Sequence, residues 1–434
     1  MPVAWRAEAA LARALFTLAL SGAGAAAQGT EPAPAVAQGP WLGHTTSSSA
    51  RVWARCSAPG AVALVVATQD GDPAEGPLRV VAHADPDADL CVVFTADGLR
   101  AGTTYAYRVE TAAGAPLTPP VTFRTALRDD ALARVRLALG SCAYEDNGTA
   151  ATWNALGGHA PDALVLLGDT PYIDSPILAV QRRRYREFFA APALAALIRS
   201  TPLYATWDDH DFGANDSDGR LPGKAASRRA FVEYHANPGY GVEGTGIFTS
   251  FRRGPLEVFL LDTRWFAATE PSPAKAHAAS LLGARQWQWL QAGLLASTAP
   301  FKVLACGMVW NDAVRPGKLD HWGSYAHERD ALFAWLGERS IRGVVLVGGD
   351  IHRSRVIRHA TATLAGYDLL ELITSPLHGG LIAAAAAPHP GLVADLPAPH
   401  SFLLLDADGI AEPPTLRARI VDAEGREWWA GRVH

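Results

Sequence analysis

Cysteine is scarce, with four residues in a chain of 434, too few and too scattered for a disulfide scaffold. Cys56 and Cys91 fall in one β-like region, where a single bridge and two buried thiols are alternative readings, and Cys306 in "FKVLACGMVW" reads as a core thiol on a strand. Charge of one sign is not in excess either. A formal net charge of −5, spread along the chain, excludes a nucleic-acid scaffold and a polybasic membrane-surface protein and leaves a small, diffusible substrate as the expected partner. Beyond the N-terminus no run approaches the ~20 apolar residues of a membrane helix, and "LIAAAAAPHPG" is short and broken by proline. No internal repeat is present. Oligomeric state is not legible.

The N-terminal 27 residues carry Arg6 and Arg13, then "ALFTLALSGAGAAA" ending in three alanines, the layout of a secretory signal peptide without a twin-arginine pair. The mature chain is expected to begin near Gln28, to insert in no membrane, and to reside in the periplasm or outside the cell. Residues 28–40, "QGTEPAPAVAQGP", read as a linker. At this length two domains are the default. Between 41 and 126, short alternating runs such as "ARVWARC", "VALVVAT" and "TYAYRV", separated by Gly, Pro and Asp clusters, indicate an all-β sandwich domain with a structural role or that of a lid over a neighbouring site. From 133 to 434 buried-strand runs alternate with helix-like segments, among them 176–200, 283–297 and 327–340, which gives an α/β domain built around buried sheets.

Within that second domain, "WDDHDFGAND" at 207–216 places four acids, a histidine and an asparagine behind the apolar run "TPLYAT". Such crowding resists desolvation unless a cation sits among the carboxylates. A solvated loop explains the stretch equally well until its company is considered. Strand 135–141 delivers Cys142, strand 163–168 delivers Asp169 and then Tyr172, strand 202–207 delivers Asp208 to Asn215, and strand 342–348 delivers Asp350 and His352. Ligands of open α/β sheets gather at the C-terminal ends of strands, so these groups are expected to converge. Thiolate, phenolate and imidazole suit a trivalent or borderline transition ion, whereas an Asp and Asn set suits a harder divalent one. Two cations sharing a carboxylate, with water or hydroxide as nucleophile, make phosphoester hydrolysis the leading chemistry.

The ordered motifs "GSC", "GDTPY", "WDDHDFGAND", "LLDTR" and "GGDIH" resemble those of the alkaline phosphatase D (PhoD-like) family of metallophosphoesterases, relatives of the purple acid phosphatases. The segments "GPWLGHTTSSSARVWARC" and "GLRAGTTYAYRVET" are similar to that family's leading domain. The resemblance implies an α/β (α+β) calcineurin-like metallophosphoesterase sandwich behind an N-terminal all-β fibronectin- or immunoglobulin-like domain. It also implies a ferric ion (Fe3+) on Cys142, Asp169, Tyr172 and His352, and a divalent ion, Ca2+, on Asp169, Asp209 or Asn215, and Asp350. His210 falls where the superfamily has the histidine that meets the phosphoryl group, with Asn215 beside it on the substrate side. The expected activity is that of an exported phosphomonoesterase or phosphodiesterase. A phospholipase D-like diesterase on the same site, and a secreted β-sandwich binding protein with a degenerate enzyme domain, are the competing readings. Asp262 and Arg264 read as an internal ion pair behind the site, and His321, His327 and His378 as exposed or structural histidines bordering it.

Overall fold

The computed structural model describes residues 34–69 and 76–433; the expected signal peptide lies outside the described residues. At its centre two sheets pack face to face. One has six strands in the order Leu203–Ala205, Ala163–Leu166, Arg134–Gly140, Ser401–Asp408, Thr415–Asp422 and Glu427–Arg432. The other has seven: Thr249–Arg253, Leu256–Leu260, Phe301–Ala305, Val344–Gly348, Leu369–Ile373, Ser354–His359 and Leu392–Leu396. The central strands read as unbroken apolar runs because both of their faces are covered, as in Ala163–Leu166 and Val344–Gly348, every residue of which is buried. Between the sheets lie Leu137, Leu139 and Val165 from the first, against Val258, Val303 and Val345 from the second. Helices Gly283–Ala296 and Ala326–Glu338 cover the outer face of the seven-stranded sheet through Leu290, Leu294, Leu332 and Phe333.

The pairing directions position the site. Arg134–Gly140, Ala163–Leu166 and Leu203–Ala205 run parallel to one another, and so do Leu256–Leu260, Phe301–Ala305, Val344–Gly348 and Leu369–Ile373. Parallel neighbours deliver their following loops to one edge of a sheet, and these loops carry the candidate ligands.

Residues 176–200 form two helices, Leu178–Phe189 and Pro192–Ile198, where one segment is expected from the sequence. Proline at 192 opens the second helix and pushes Ala191 to ψ 119°, out of the helical region, so the first cannot run through it.

The chain before Arg124 forms a three-stranded sheet (Val36–Thr45, Ser49–Cys56, Cys91–Asp97) and a four-stranded one (Leu78–Ala84, Gly60–Thr68, Thr104–Thr111, Val121–Arg124) around their own apolar cluster. The first strand begins inside the stretch read as linker, because Val36 and Gln38 pair with Cys56 and Arg55. These sheets dock on helices Leu178–Phe189 and Lys224–Tyr234. Trp41 and Trp53 stack at 3.6 Å, the Trp53 indole N–H donates to Glu233 O at 2.7 Å, and Arg186 pairs with Asp89 at 2.6 Å. All four cysteines are free and buried. Among the described residues no helix is long and apolar enough to cross a membrane.

Candidate metal centre

Four of the residues that end these strands share an uncommon backbone. Cys142, Asp169, Asp350 and His352 all have positive φ, at 57°, 52°, 67° and 50°. L-residues in this region cost of the order of 1–3 kcal/mol each and concentrate where side chains must be aimed at a ligand. Here the strain turns each chain sharply at the sheet edge, so that the side chains point back over the strand ends. Gly168 makes the turn before Asp169 possible: its φ is +101°, and a Cβ there would stand 2.3 Å from Asp208 N.

The resulting groups lie close together. Ligand atoms of Cys142, Asp169 and His352 fall within 4.8 Å of one another, as do those of Asp169, Asp208, Asp209 and Asp350, and those of Asp169, Asp209 and His210. Asp169 is common to all three. Tyr172 Oη lies 2.6 Å from His352 Nε2. The Cys142 sulfur accepts a hydrogen bond from Ser375 Oγ at 3.2 Å and donates to Asp169 Oδ2 at 3.5 Å, while the Ser141 hydroxyl beside it donates to Thr374 O at 2.8 Å. His210 donates its backbone N–H to Asp209 Oδ1 and, at 3.3 Å, to Asp169 Oδ1, while its Nδ1 meets Asp174 Oδ1. Asp174 thereby fixes the ring and leaves Nε2 for the adjoining pocket, a cavity of about 70 Å³ lined by His210, Asn215, Arg315, Lys318, Asp350 and His352 together with Ile351, Ile382 and Ala385. None of the described residues from 34 to 126 lines this pocket.

Electrostatics separates the acids of 207–216 into distinct jobs. Asp208 is buried and paired with Arg264, which also holds Asp320 at 2.7 Å. This corrects the expected Asp262–Arg264 pair: Asp262 instead accepts N–H bonds from Arg264, Trp265 and the Trp207 indole, and so shapes its own turn. Asp211 accepts from the backbone N–H groups of Asp169, Thr170 and Asp208 and ties two of the strand-end loops together. Asp209 remains for a cation. Burial pushes its carboxyl up, but Arg264, His210 and Lys318 more than offset this and hold it at about 2. Burial, followed by the neighbouring carboxylates, drives Asp169 well above the usual range. Asp350 is raised to about 7, burial outweighing the Lys318 ammonium, whose Nζ lies 3.0 Å from Oδ2. Cys142 and Tyr172 are also pushed up, first by burial and then by the negative charges beside them. Groups that resist ionisation because they repel one another in a buried space are the groups a cation would deprotonate. Asp208 Oδ2, buried and without a hydrogen-bond partner, fits the same account.

The structure brings the sequence-predicted Cys142, Asp169, Tyr172, Asp209, His210, Asp350 and His352 together, and Asn215, though exposed, stands in the pocket wall. Sequence reasoning misses Lys318 and Asp320, which come from a long loop without a strand-end signature, and Asp174, two residues beyond Tyr172. It undervalues His378: this side chain is fully buried, stacks on Tyr144 at 4.0 Å, and has its Nε2 3.4 Å from Tyr172 Oη. His321, by contrast, is structural, bonded to Lys318 O.

Residues 137–395, more than half of the chain, match the family model described as PhoD-like phosphatase. The chain belongs to the PhoD-like phosphatases. Over 321 residues it is 26% identical to the alkaline phosphatase D of Bacillus subtilis (strain 168), an alignment covering 62% of this chain and 54%, about half, of that protein. The structure of PhoD superposes with a TM-score of 0.73 at 19% identity, covering 92% of this chain and 93% of that one. The purple acid phosphatase PPD1 from seeds of yellow lupin (Lupinus luteus) superposes with a TM-score of 0.67 at 12% identity, over 92% of this chain and 74% of its own. The fold is thus the mixed α/β sandwich of these phosphatases. The PhoD-like chain described here carries carboxylate and histidine clusters that could hold a metal ion at the ends of its central strands.

Proposed function

We propose that this PhoD-like phosphatase hydrolyses small phosphoesters outside the cytoplasm, with Fe3+ held by Cys142, Asp169, Tyr172 and His352 and a divalent ion, Ca2+, held by Asp169, Asp209 and Asp350, with Asn215 beside it. The observation that carries this reading is the convergence of Cys142, Asp169, Asp350 and His352, each on a strained backbone, around one buried carboxylate. When bound, such ions neutralise charge on a phosphoryl group and supply an activated water at neutral pH. The chain's own residues do the rest. Hydrolysis forms one P–O bond from water and breaks the ester P–O bond, and His210, held at Nδ1 by Asp174, offers Nε2 for the proton that the leaving oxygen takes up. Arg264, anchored by Asp208 and Asp320, stands behind Asp209 and helps to keep it ionised.

The domain reading follows the same logic: residues 1–27 a signal peptide, 28–40 a linker apart from the strand that starts at Val36, 41–126 a fibronectin- or immunoglobulin-like module, and 133–434 the metallophosphatase domain. The separate apolar cluster of the N-terminal sheets supports it, and N-terminal sequencing of the native protein is expected to find Gln28 or a close neighbour. The ferric assignment is tested by colour. Phenolate and thiolate donate strongly to Fe3+, so the purified, iron-loaded protein is expected to show a visible charge-transfer band that Tyr172→Phe shifts or abolishes. A colourless active enzyme that tolerates both Tyr172→Phe and Cys142→Ser would refute it.

A further inference from the structure

Of the arginine and lysine side chains at and behind the pocket, one is committed to no acid among the described residues. Arg264 is bound to Asp208 and Asp320, and Lys318 lies between Asp350 and Asp216, its Nζ at 3.0 Å from each. His210 is held by Asp174. Arg315, half-buried in the wall of the same cavity, has neither a hydrogen-bond nor an ion-pair partner for its guanidinium among the described residues. A partly desolvated guanidinium left unpaired beside a cavity is an anion receptor, because its planar fork matches two oxygens of a phosphoryl or carboxyl group. Ile351, Ile382 and Ala385 line the same cavity, and of its carboxylate and amide side chains Asp350 is paired with Lys318 and Asn215 is not within hydrogen-bond distance of Arg315.

We infer that Arg315 is a specificity-determining residue that selects phosphomonoesters over phosphodiesters by binding the third non-bridging oxygen of the monoester dianion. This rests on the phosphoesterase reading above. A diester has two non-bridging oxygens and a single negative charge; its second ester oxygen carries carbon where the monoester presents a charged oxygen. Facing Arg315, the diester forfeits a charge-assisted hydrogen bond and leaves a half-buried cation unsatisfied. The monoester satisfies it. The apolar residues of the wall face the organic part of either ester and do not discriminate between them.

The test compares wild type, Arg315→Met and Arg315→Lys, each metal-loaded, on an aryl phosphate, a bis-aryl phosphate and inorganic phosphate as inhibitor. Arg315→Met is expected to raise the inhibition constant of inorganic phosphate and to lower kcat/KM for the monoester by about tenfold to a hundredfold, while the diester changes by less than about fivefold. Arg315→Lys, which keeps the charge and loses the fork, is expected to fall between the two. Equal losses on both esters, or an unchanged phosphate constant, would overturn the assignment. If the wild type hydrolyses neither ester, the phosphoesterase reading fails, and calorimetric binding of inorganic phosphate still decides the role of Arg315: weaker binding to Arg315→Met supports it, and equal binding removes it. Arg315→Lys supplies the same comparison should Arg315→Met fail to fold.

Discussion

His210→Ala removes the ring aimed at the pocket, which packs on Tyr172 at 4.6 Å but is not itself a proposed ligand of the ferric ion, so turnover is expected to fall by about 10²- to 10³-fold, far more than iron content. Asp174→Asn leaves the ring in place and weakens only its orientation, so a smaller loss is expected. Steady-state rates with metal analysis on the same preparations separate the two effects; wild-type turnover in His210→Ala would make the histidine structural. Arg264→Met differs in kind. It strands Asp208 and Asp320, one of them fully buried, and removing one partner of a buried pair typically costs about 3–5 kcal/mol. Chemical denaturation is expected to show that loss whether or not metal is present, and a stability within about 0.5 kcal/mol of wild type would show that the network does not hold the loops.

The strand-end loops explain which parts of the site are legible in the sequence and which are not. Each ligand-bearing strand is a buried apolar run closed by a polar residue, so Cys142, Asp169, Asp209 and Asp350 stand out as strand terminators in the sequence alone. Lys318, Asp320 and Arg315 sit in a loop between Ala305 and Trp322 that carries no periodicity, and only the fold brings it over the second sheet's edge. Sequence proximity points to the wrong partner for Arg264 for a related reason: Asp262 is two residues away, yet the turn between them directs the guanidinium to Asp208 on the other sheet. Gly168 shows how tightly neighbouring strand-end loops of the six-stranded sheet fit. Gly168→Ala would place a methyl group 2.3 Å from Asp208 N at a φ that alanine rarely adopts, and is expected to cost more than about 1 kcal/mol and to lower metal content together with stability. Metal content and a denaturation midpoint both at wild-type values would show that the loop yields.

For the molecule as a whole, acid is expected to loosen the fold through a buried histidine far from the metal centre. Burial lowers His235, fully enclosed and bonded through Nδ1 to Phe231 O, from its ordinary value to about 4. The native state then binds fewer protons than the unfolded chain between pH 6.5 and 4, so stability falls as pH drops through that window, by up to about 3 kcal/mol from this group, and is unaffected by it above pH 7. Denaturation series from pH 7.5 to 4.5 check this, and His235→Phe is expected to flatten the dependence. His235 immediately follows the helix Lys224–Tyr234 on which the N-terminal sheets dock, so the same series reports on that junction. The central claim, that the buried cluster around Asp169 works by holding metal ions for phosphoester hydrolysis, meets its most direct test in one titration. Aryl phosphate turnover is measured on protein stripped by chelation and then reloaded with iron and calcium. The account predicts an inactive stripped protein whose activity returns in proportion to bound iron and saturates at one iron per chain. Full activity in the stripped protein, or reloading to one iron per chain with no turnover, would contradict it.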